Sequence, residues 1–248
     1  MQFLQFFKRI KSFFLTEKTC YCSVVIVAAG NSTRMGKDKV FLELNGVPVI
    51  VRTVQAFDLV EEVKEIILVT KQENLETLAT LVKEYNLTKV RQVVMGGATR
   101  QISCLAGVSA TSKRADLIAI HDGARPFVSP ELIRACIKNA IDYRAAVPGI
   151  KCVDTLKAVN DDGFICGSID RDRTVRIQTP QVFDADLIKG ALTFCISKNM
   201  PVTDDSSAMA ILGYRSKIVN GEADNIKLTT PEDMVTAETI LRKKGEIA

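Results

Sequence analysis

The chain has 248 residues, 47% hydrophobic and 25% charged, a balance that fits one or two folded globular domains and excludes a disordered chain. The formal net charge is +4, and Lys8, Arg9, Lys11 and Lys18 against Glu17 concentrate most of it in residues 1–20. The rest therefore lacks the broad basic face of a nucleic-acid-binding protein, and no apolar run approaches the roughly 18–20 residues needed for stable membrane insertion as a helix.

Residues 1–20 differ in pattern from the rest of the chain. Phe3, Phe6, Phe7, Ile10, Phe13 and Phe14 fall at helical spacing, so an amphipathic or disordered N-terminal extension is expected. Lys8, Arg9 and Lys11 interrupt the apolar stripe, which is the wrong order for a secretory signal. Seven cysteines (20, 22, 104, 136, 152, 166, 195) show no CxxC pair and no zinc spacing, so reduced thiols and a cytoplasmic location are expected. With a single histidine, His121, a His-based metal site is excluded. A capping or packed imidazole is the expected role of that residue.

From Ser23 the apolar pattern changes period repeatedly. Short β-branched or apolar runs at Ser23–Ala28, Glu65–Thr70, Val90–Met95, Leu117–Ile120 and Ala145–Ile150 predict strands. Helical stretches are predicted near 47–58, 72–85, 99–112 and 130–142, with Pro48 and Pro130 in first turns. The alternation predicts an α/β fold, an open, mostly parallel Rossmann-like sheet with helices on both faces. Ligands of such sheets bind beyond the carboxyl ends of the strands. Three polar clusters come directly after predicted strands: AAGNSTRMG, MGGATRQIS and HDGARP.

After Ile150 the pattern breaks. Two strand-like pieces flank Asn160-Asp161-Asp162-Gly163, a hairpin signal. A protruding β-arm over about 151–172 is expected. An isolated hairpin is marginal in water, so the arm should pack on something, most economically a second copy of the chain. Helices near 184–198 and 204–213, a strand near 215–219 and a helix from Pro231 complete the expected order.

The loop Ala28–Lys39 is the first candidate site. It lacks G-x-G-x-x-G, and its Gly30 and Gly36 do not have Walker spacing, so neither common phosphate fingerprint applies. Small residues at 28–33 would still let backbone N–H groups approach phosphate oxygens. Arg34 adds a planar fork, and a lysine a few residues later, Lys37 or Lys39, adds a point charge.

Taken with blocks further along, this loop gives the chain a resemblance to a known family. VVIVAAG-x-S-x-RMG and KVFLELNGVPV are similar to nucleotidyltransferases that join a nucleoside triphosphate to a sugar or alcohol phosphate. GGATRQIS (96–103), HDGARP (121–126), DTLK (154–157), SIDR (168–171), TPQVF (179–183), TDDSSA (203–208) and G-x-ADNIKLTTPED (221–233) occur in order. Together they resemble the 2-C-methyl-D-erythritol 4-phosphate cytidylyltransferases, from about Ser23 to the C-terminus. The resemblance implies a catalytic domain over 21–248 that transfers CMP from CTP to this polyol phosphate, releasing pyrophosphate, with Mg²⁺ as cofactor. It also implies a homodimer through the β-arm. A pentitol phosphate such as ribitol 5-phosphate is the alternative acceptor.

The resemblance implies roles residue by residue. Arg34 and Lys39 would stabilise the transition state at the α-phosphate; V-F-L comes after Lys39 as a similar triplet comes after the family lysine. The Arg-to-Lys spacing is about two residues short, so Lys37 stays open, and Asp38 stands where many relatives have proline. Ala28, Ala29 and Gly30 would line the triphosphate. Gly97 and Ser103 would lie against cytosine and ribose, with Ala98 where some relatives carry aspartate. Asp122 would face the metal, with Arg125 as its neighbour. Arg171 and Lys227 would position the acceptor phosphate, Thr155 would lie near Arg171 in the paired strand of the arm, and Thr203 would reach a substrate from a helix start. Two other classes fit parts of the chain: a nucleotide-binding regulatory module without turnover, and a membrane-docked adaptor resting on the Phe-rich segment.

Overall fold

The computed structural model describes residues 20–30 and 38–247. The stripe expected in residues 1–20, apart from Cys20, lies outside the described residues, as do Arg34 and Lys37. In chain order come β1 (Cys22–Val27), a short hairpin of β2 (Glu43–Leu44) and β3 (Val47–Pro48), α1 (Val49–Asp58), β4 (Val63–Thr70), α2 (Leu75–Glu84) and β5 (Val90–Met95). Next are α3 (Arg100–Ala110), β6 (Leu117–Asp122), α4 (Pro130–Tyr143) and β7 (Ala145–Lys151). The arm hairpin is β8 (Leu156–Val159) and β9 (Ile165–Ile169). The chain returns through β10 (Val175–Ile177), β11 (Gln181–Asp184), α5 (Ala185–Ser197), α6 (Asp205–Ile211), β12 (Lys217–Asn220) and α7 (Pro231–Lys243).

The main sheet runs β10-β7-β11-β6-β1-β4-β5, and β12 also pairs with β7. Pairing is parallel between β1 and both β4 and β6, between β4 and β5, and between β12 and β7. The expected open, mostly parallel sheet is thus present. Two strands depart from it: β11 lies antiparallel between β6 and β7, and β10 pairs antiparallel with β7 at the sheet edge.

The near-continuous apolar runs result from burial on both faces. Val24 and Ile26 of β1, Ile66 and Leu68 of β4 and Ala119 of β6 pack into one core with α1, α4 and α7. Their alternates Val25, Ile67, Val69, Ile118 and Ile120 pack into the other with α3, α5 and α6. Each fully buried aliphatic side chain contributes about 1.5–3 kcal/mol. Gly107 lets α3 lie directly on the sheet: a Cβ there would meet Val25 Cγ1 at 2.3 Å and Val69 Cγ2 at 2.6 Å. The first turn of α3 is held by Thr99, whose side chain accepts from the Ile102 N–H, so Arg100 is the first helical residue.

Three local expectations need correction. The fourth strand runs to Asp122, so His121 and Asp122 belong to β6 and not to the loop after it. Pro48 precedes α1 as its N-cap and pairs within the β2–β3 hairpin. Arg171 is not in the arm's paired strand; it opens a single 3-10 turn, Arg171–Arg173, beyond β9.

The arm forms its own two-stranded sheet, with Leu156 opposite Ile169 and Ala158 opposite Gly167. Gly163 (φ +84°) makes the turn, and Asn160 Oδ1 accepts from the Phe164 N–H at 2.8 Å. Val153, Phe164 and Ile165 on this arm are about two-thirds or more exposed, at 77%, 72% and 67%.

Candidate functional site

A cavity of about 490 Å³ opens at the carboxyl ends of the parallel strands, within the usual size range of small-ligand sites. Its walls come from the ends of β1, β5 and β6 and from the loops after β1, β4, β5 and β6. The lining brings together Ala28, Ala29, Gly30, Lys39, Gly97, Ser103, Asp122 and Lys227, all expected site residues. Backbone bonds fix the loop positions. Ala28 N–H donates to Val69 O at 2.7 Å, Gly96 N–H to Thr70 O at 2.7 Å and Gly123 N–H to Val27 O at 2.9 Å. Ser103 Oγ accepts from the Gly97 N–H at 3.1 Å. A Cβ on Gly96 would come within 2.6 Å of Ala29 Cβ and 2.7 Å of Ser103 Oγ, so the two loops can meet there only around a glycine.

Asp122, 8% exposed, is the electrostatic centre. Its Oδ2 lies 2.9 Å from Lys227 Nζ and 3.4 Å from Arg125 Nε, and its Oδ1 lies 3.7 Å from Arg100 Nη2. Burial pushes its carboxyl upward, but Lys227, Arg100 and Arg125 outweigh it and hold the group well below the usual carboxylate range. Asp122 is therefore an anion at every working pH.

The segment carrying Lys227 is stapled down by Asn225, which is fully buried. Asn225 Nδ2 donates to Thr179 O at 2.9 Å, and Arg125 Nη1 donates to Asn225 O at 2.7 Å. Gln178 Nε2 donates to the carbonyls of Glu222 and Asn225 at 2.8 and 3.1 Å. Leu228 N–H donates to Ala124 O at 2.9 Å.

Directly beneath Asp122, His121 is fully buried and meets Phe57 edge-on at 4.9 Å. Its Nδ1 is 3.0 Å from Thr179 Oγ1 and its Nε2 is 3.1 Å from Arg125 O. Thr179 Oγ1 also accepts from the Asp122 N–H at 3.1 Å. A neutral imidazole protonated at Nε2 satisfies all three bonds. This is the packed imidazole expected from the sequence, and burial pushes its pKa down to about 4. The unfolded chain, with a histidine near 6.5, takes up a proton first as pH falls. Stability is thus present above about 6.5 and is lost between about 6.5 and 4. Asp122 adds its own loss only below about 4. Between pH 7 and pH 5, the wild-type chain should lose about 2 kcal/mol more than His121→Asn in urea unfolding. Equal losses in the two proteins would refute this assignment.

Among the described residues, four of the expected ones do not line the cavity. Arg125 stands behind Asp122. Thr203 is exposed before α6, its Oγ1 3.3 Å from Ser207 Oγ. Thr155 and Arg171 lie out on the arm, where Arg171 Nη1 donates to Val153 O at 3.0 Å. Arg34 lies outside the described residues.

The cavity also contains three charged residues for which the sequence suggests no role: Asp38, Lys71 and Arg100. Lys71 comes directly after β4, a position like those of the three polar clusters. Its Nζ is 3.7 Å from Asp38 Oδ2, which also accepts from Asn74 Nδ2 at 2.8 Å. Arg100 stands inside the GGATRQIS block, and its Nη2 donates to Asp205 Oδ2 at 2.8 Å. Asp205 and Asp122 hold the guanidinium firmly protonated against the opposing effect of burial.

The side chains of the wall able to ligate a metal offer carboxylate oxygens, which suits Mg²⁺, an ion that takes one or two protein carboxylates and otherwise substrate phosphates and water. Asp122 and Asp38 both line the cavity. Among the described residues, no cluster of three or more His, Cys, Asp or Glu side chains could hold a metal ion, and none of the helices is long and apolar enough to cross a membrane.

Comparison with known proteins places this geometry. The sequence model of the 2-C-methyl-D-erythritol 4-phosphate cytidylyltransferases matches residues 22–243. The chain is 44% identical over 224 residues to the enzyme of that name from Caldanaerobacter subterraneus subsp. tengcongensis, covering 89% of this chain and 99% of the relative. It is 39% identical over 240 residues to that of Clostridium tetani, covering 96% of each. Among solved structures, 4-diphosphocytidyl-2C-methyl-D-erythritol synthase from Anaerococcus prevotii superposes with a TM-score of 0.82 at 32% identity, covering 91% of this chain and all of that one. The 2-C-methyl-D-erythritol 4-phosphate cytidylyltransferase of Thermus thermophilus gives 0.73 at 30% identity, covering 88% and 98%.

Proposed function

The chain belongs to the 2-C-methyl-D-erythritol 4-phosphate cytidylyltransferase family, and from that premise we propose how its strand-tip cavity transfers CMP from CTP to 2-C-methyl-D-erythritol 4-phosphate. One observation carries the reading: Lys39, Lys71, Arg100 and Lys227 converge with Asp122 on one cavity of the size a nucleotide needs.

An oxygen of the acceptor phosphate forms a bond to the α-phosphorus of CTP. The bond from that phosphorus to the oxygen bridging it to the β-phosphate breaks, and pyrophosphate leaves with the electron pair. The nucleophile is already an anion near neutral pH, so no general base is required. The obstacle is repulsion between two polyanions and the charge that builds at phosphorus, which fixed cations offset. Ala28, Ala29 and Gly30 present backbone to the triphosphate. Lys39 faces the α-phosphate, and the family resemblance gives Arg34 the same role. Gly97 and Ser103 border the base and ribose. Lys227 holds the acceptor phosphate from the side of Asp122. Asp122 would hold Mg²⁺, with the triphosphate supplying further oxygens; the ion's chemistry there is charge neutralisation.

The same reading assigns catalysis to residues 21–248, in the cytoplasm, as a homodimer. Arg171 and Thr155 stand on an arm that exposes Val153, Phe164 and Ile165. Packing that arm on a second copy would cover its apolar side chains and deliver Arg171 and Thr155 to the partner's cavity.

Purified protein with CTP, Mg²⁺ and 2-C-methyl-D-erythritol 4-phosphate should release pyrophosphate, with ribitol 5-phosphate turned over far more slowly. Silence with CTP, or preference for the pentitol phosphate, would refute the reading.

A further inference from the structure

Asp205 belongs to no substrate-facing surface. It is 1% exposed and opens α6, 105 residues from its partner Arg100. Its Oδ2 accepts from Arg100 Nη2 at 2.8 Å, its Oδ1 is buried without a hydrogen-bond partner of good geometry among the described residues, and the buried Cys104 thiol of α3 lies beside the carboxylate. A half-satisfied buried carboxylate costs stability, so a purely structural role is a poor explanation for it. The surrounding structure is nevertheless built to hold it. Asp204 caps the helix by accepting from the Ser207 N–H at 2.9 Å. Gln181 of β11 locks that turn from both ends, donating to Asp204 Oδ2 at 2.8 Å and accepting from the Ser206 N–H at 2.9 Å.

Arg100 is pulled from two sides. Its Nη2 lies 2.8 Å from Asp205 but 3.7 Å from Asp122. The nearer carboxylate wins, and the guanidinium stays in the cavity wall, paired with Asp122 at 3.7 Å but not in direct hydrogen-bond contact with it. We propose that Asp205 is a positioning residue that holds Arg100 in place for the incoming nucleotide and keeps it from collapsing onto Asp122. Resting on the cytidylyltransferase reading, it makes Arg100 a nucleotide-binding group and Asp205 the residue through which its position is set.

Removing the charge with Asp205→Asn leaves Asp122, among the described residues, as the one carboxylate paired with Arg100. The guanidinium then moves toward the centre of the site and leaves the nucleotide wall.

The test measures CTP affinity by calorimetry and KM for CTP in wild type, Asp205→Asn, Arg100→Met and the double variant, with thermal melting of each. Asp205→Asn should weaken CTP binding and raise its KM about tenfold, with kcat changed less. In the Arg100→Met background the same substitution should change CTP binding by less than about twofold. Asp205→Glu should recover part of the loss, and it carries the test if Asp205→Asn fails to fold. Wild-type CTP affinity in a folded Asp205→Asn, or an equal penalty in the Arg100→Met background, would overturn the proposal. A wild-type protein that does not bind CTP would instead sink the cytidylyltransferase reading, and this inference with it.

Discussion

Replacing Lys39 by alanine is expected to lower kcat by about 10²–10³-fold, with KM for CTP changing by less than about tenfold. The lysine opens a one-turn 3-10 helix, Lys39–Phe41, pinned at its centre by Val40, which is 3% exposed. Phe41 N–H donates to Asp38 O at 3.0 Å and Leu42 N–H to Lys39 O at 3.3 Å, so the backbone under Lys39 is set before substrate arrives. A preset cation gains most where charge grows, because no reorganisation is required at the moment of reaction. Interactions that strengthen only in the transition state affect kcat more than ground-state binding. Lys37 is the control. Its alanine variant should change kcat by less than about threefold, against the loss of about 10²–10³-fold at Lys39. The reverse ranking would assign the α-phosphate role to Lys37.

The second large effect concerns the arm. Arg171→Ala and Lys39→Ala should each be nearly inactive alone, yet a mixture should regain activity. If the arm of one copy completes the cavity of the other, a hybrid dimer has one site carrying both substitutions and one carrying neither. Random exchange of equal amounts makes half the dimers hybrid, so about a quarter of wild-type activity returns. No recovery, with exchange verified by a mass-tagged copy, would mean that each chain supplies its own Arg171. The single-chain geometry motivates the experiment. Arg171 is engaged with Val153 O on the arm and is absent from the cavity wall of its own chain.

The central sheet was legible because β1, β4 and β6 are buried on both faces, which makes them continuous apolar runs. Helices α3 and α4 were legible from local signals, Thr99 and Ser129 capping their first turns. Strand β11 was not. It has four residues after a proline, and only its neighbours on both sides make it a strand. The site divided in the same way. The polar cluster holding Gly97 and Ser103 was readable because the topology gathers strand tips, and the resemblance singled out these two, one in the loop after β5 and one in the first turns of α3. Asp122 was readable as a carboxylate but not as the centre of a three-cation cluster, since Arg100 and Lys227 reach it from distant parts of the chain. Asp205 carried no local signal, because an acidic residue at a helix start ordinarily favours the helix dipole in solvent.

The strands β7 and β11 are hydrogen-bonded to one another, with Val182 opposite Ala146 and Phe183 opposite Ala145. Between them, residues 152–174 with the β8–β9 hairpin leave the sheet, and the chain re-enters it through β10, antiparallel to β7 beside the point of departure. The β8–β9 hairpin pairs only within itself, so the pairing of the main sheet does not depend on the hairpin's length. If two copies pair through that hairpin, as proposed, two versions of this protein that differ there and are made in one cell would sort by it. A graft of it should transfer pairing preference while leaving the host's core unaltered.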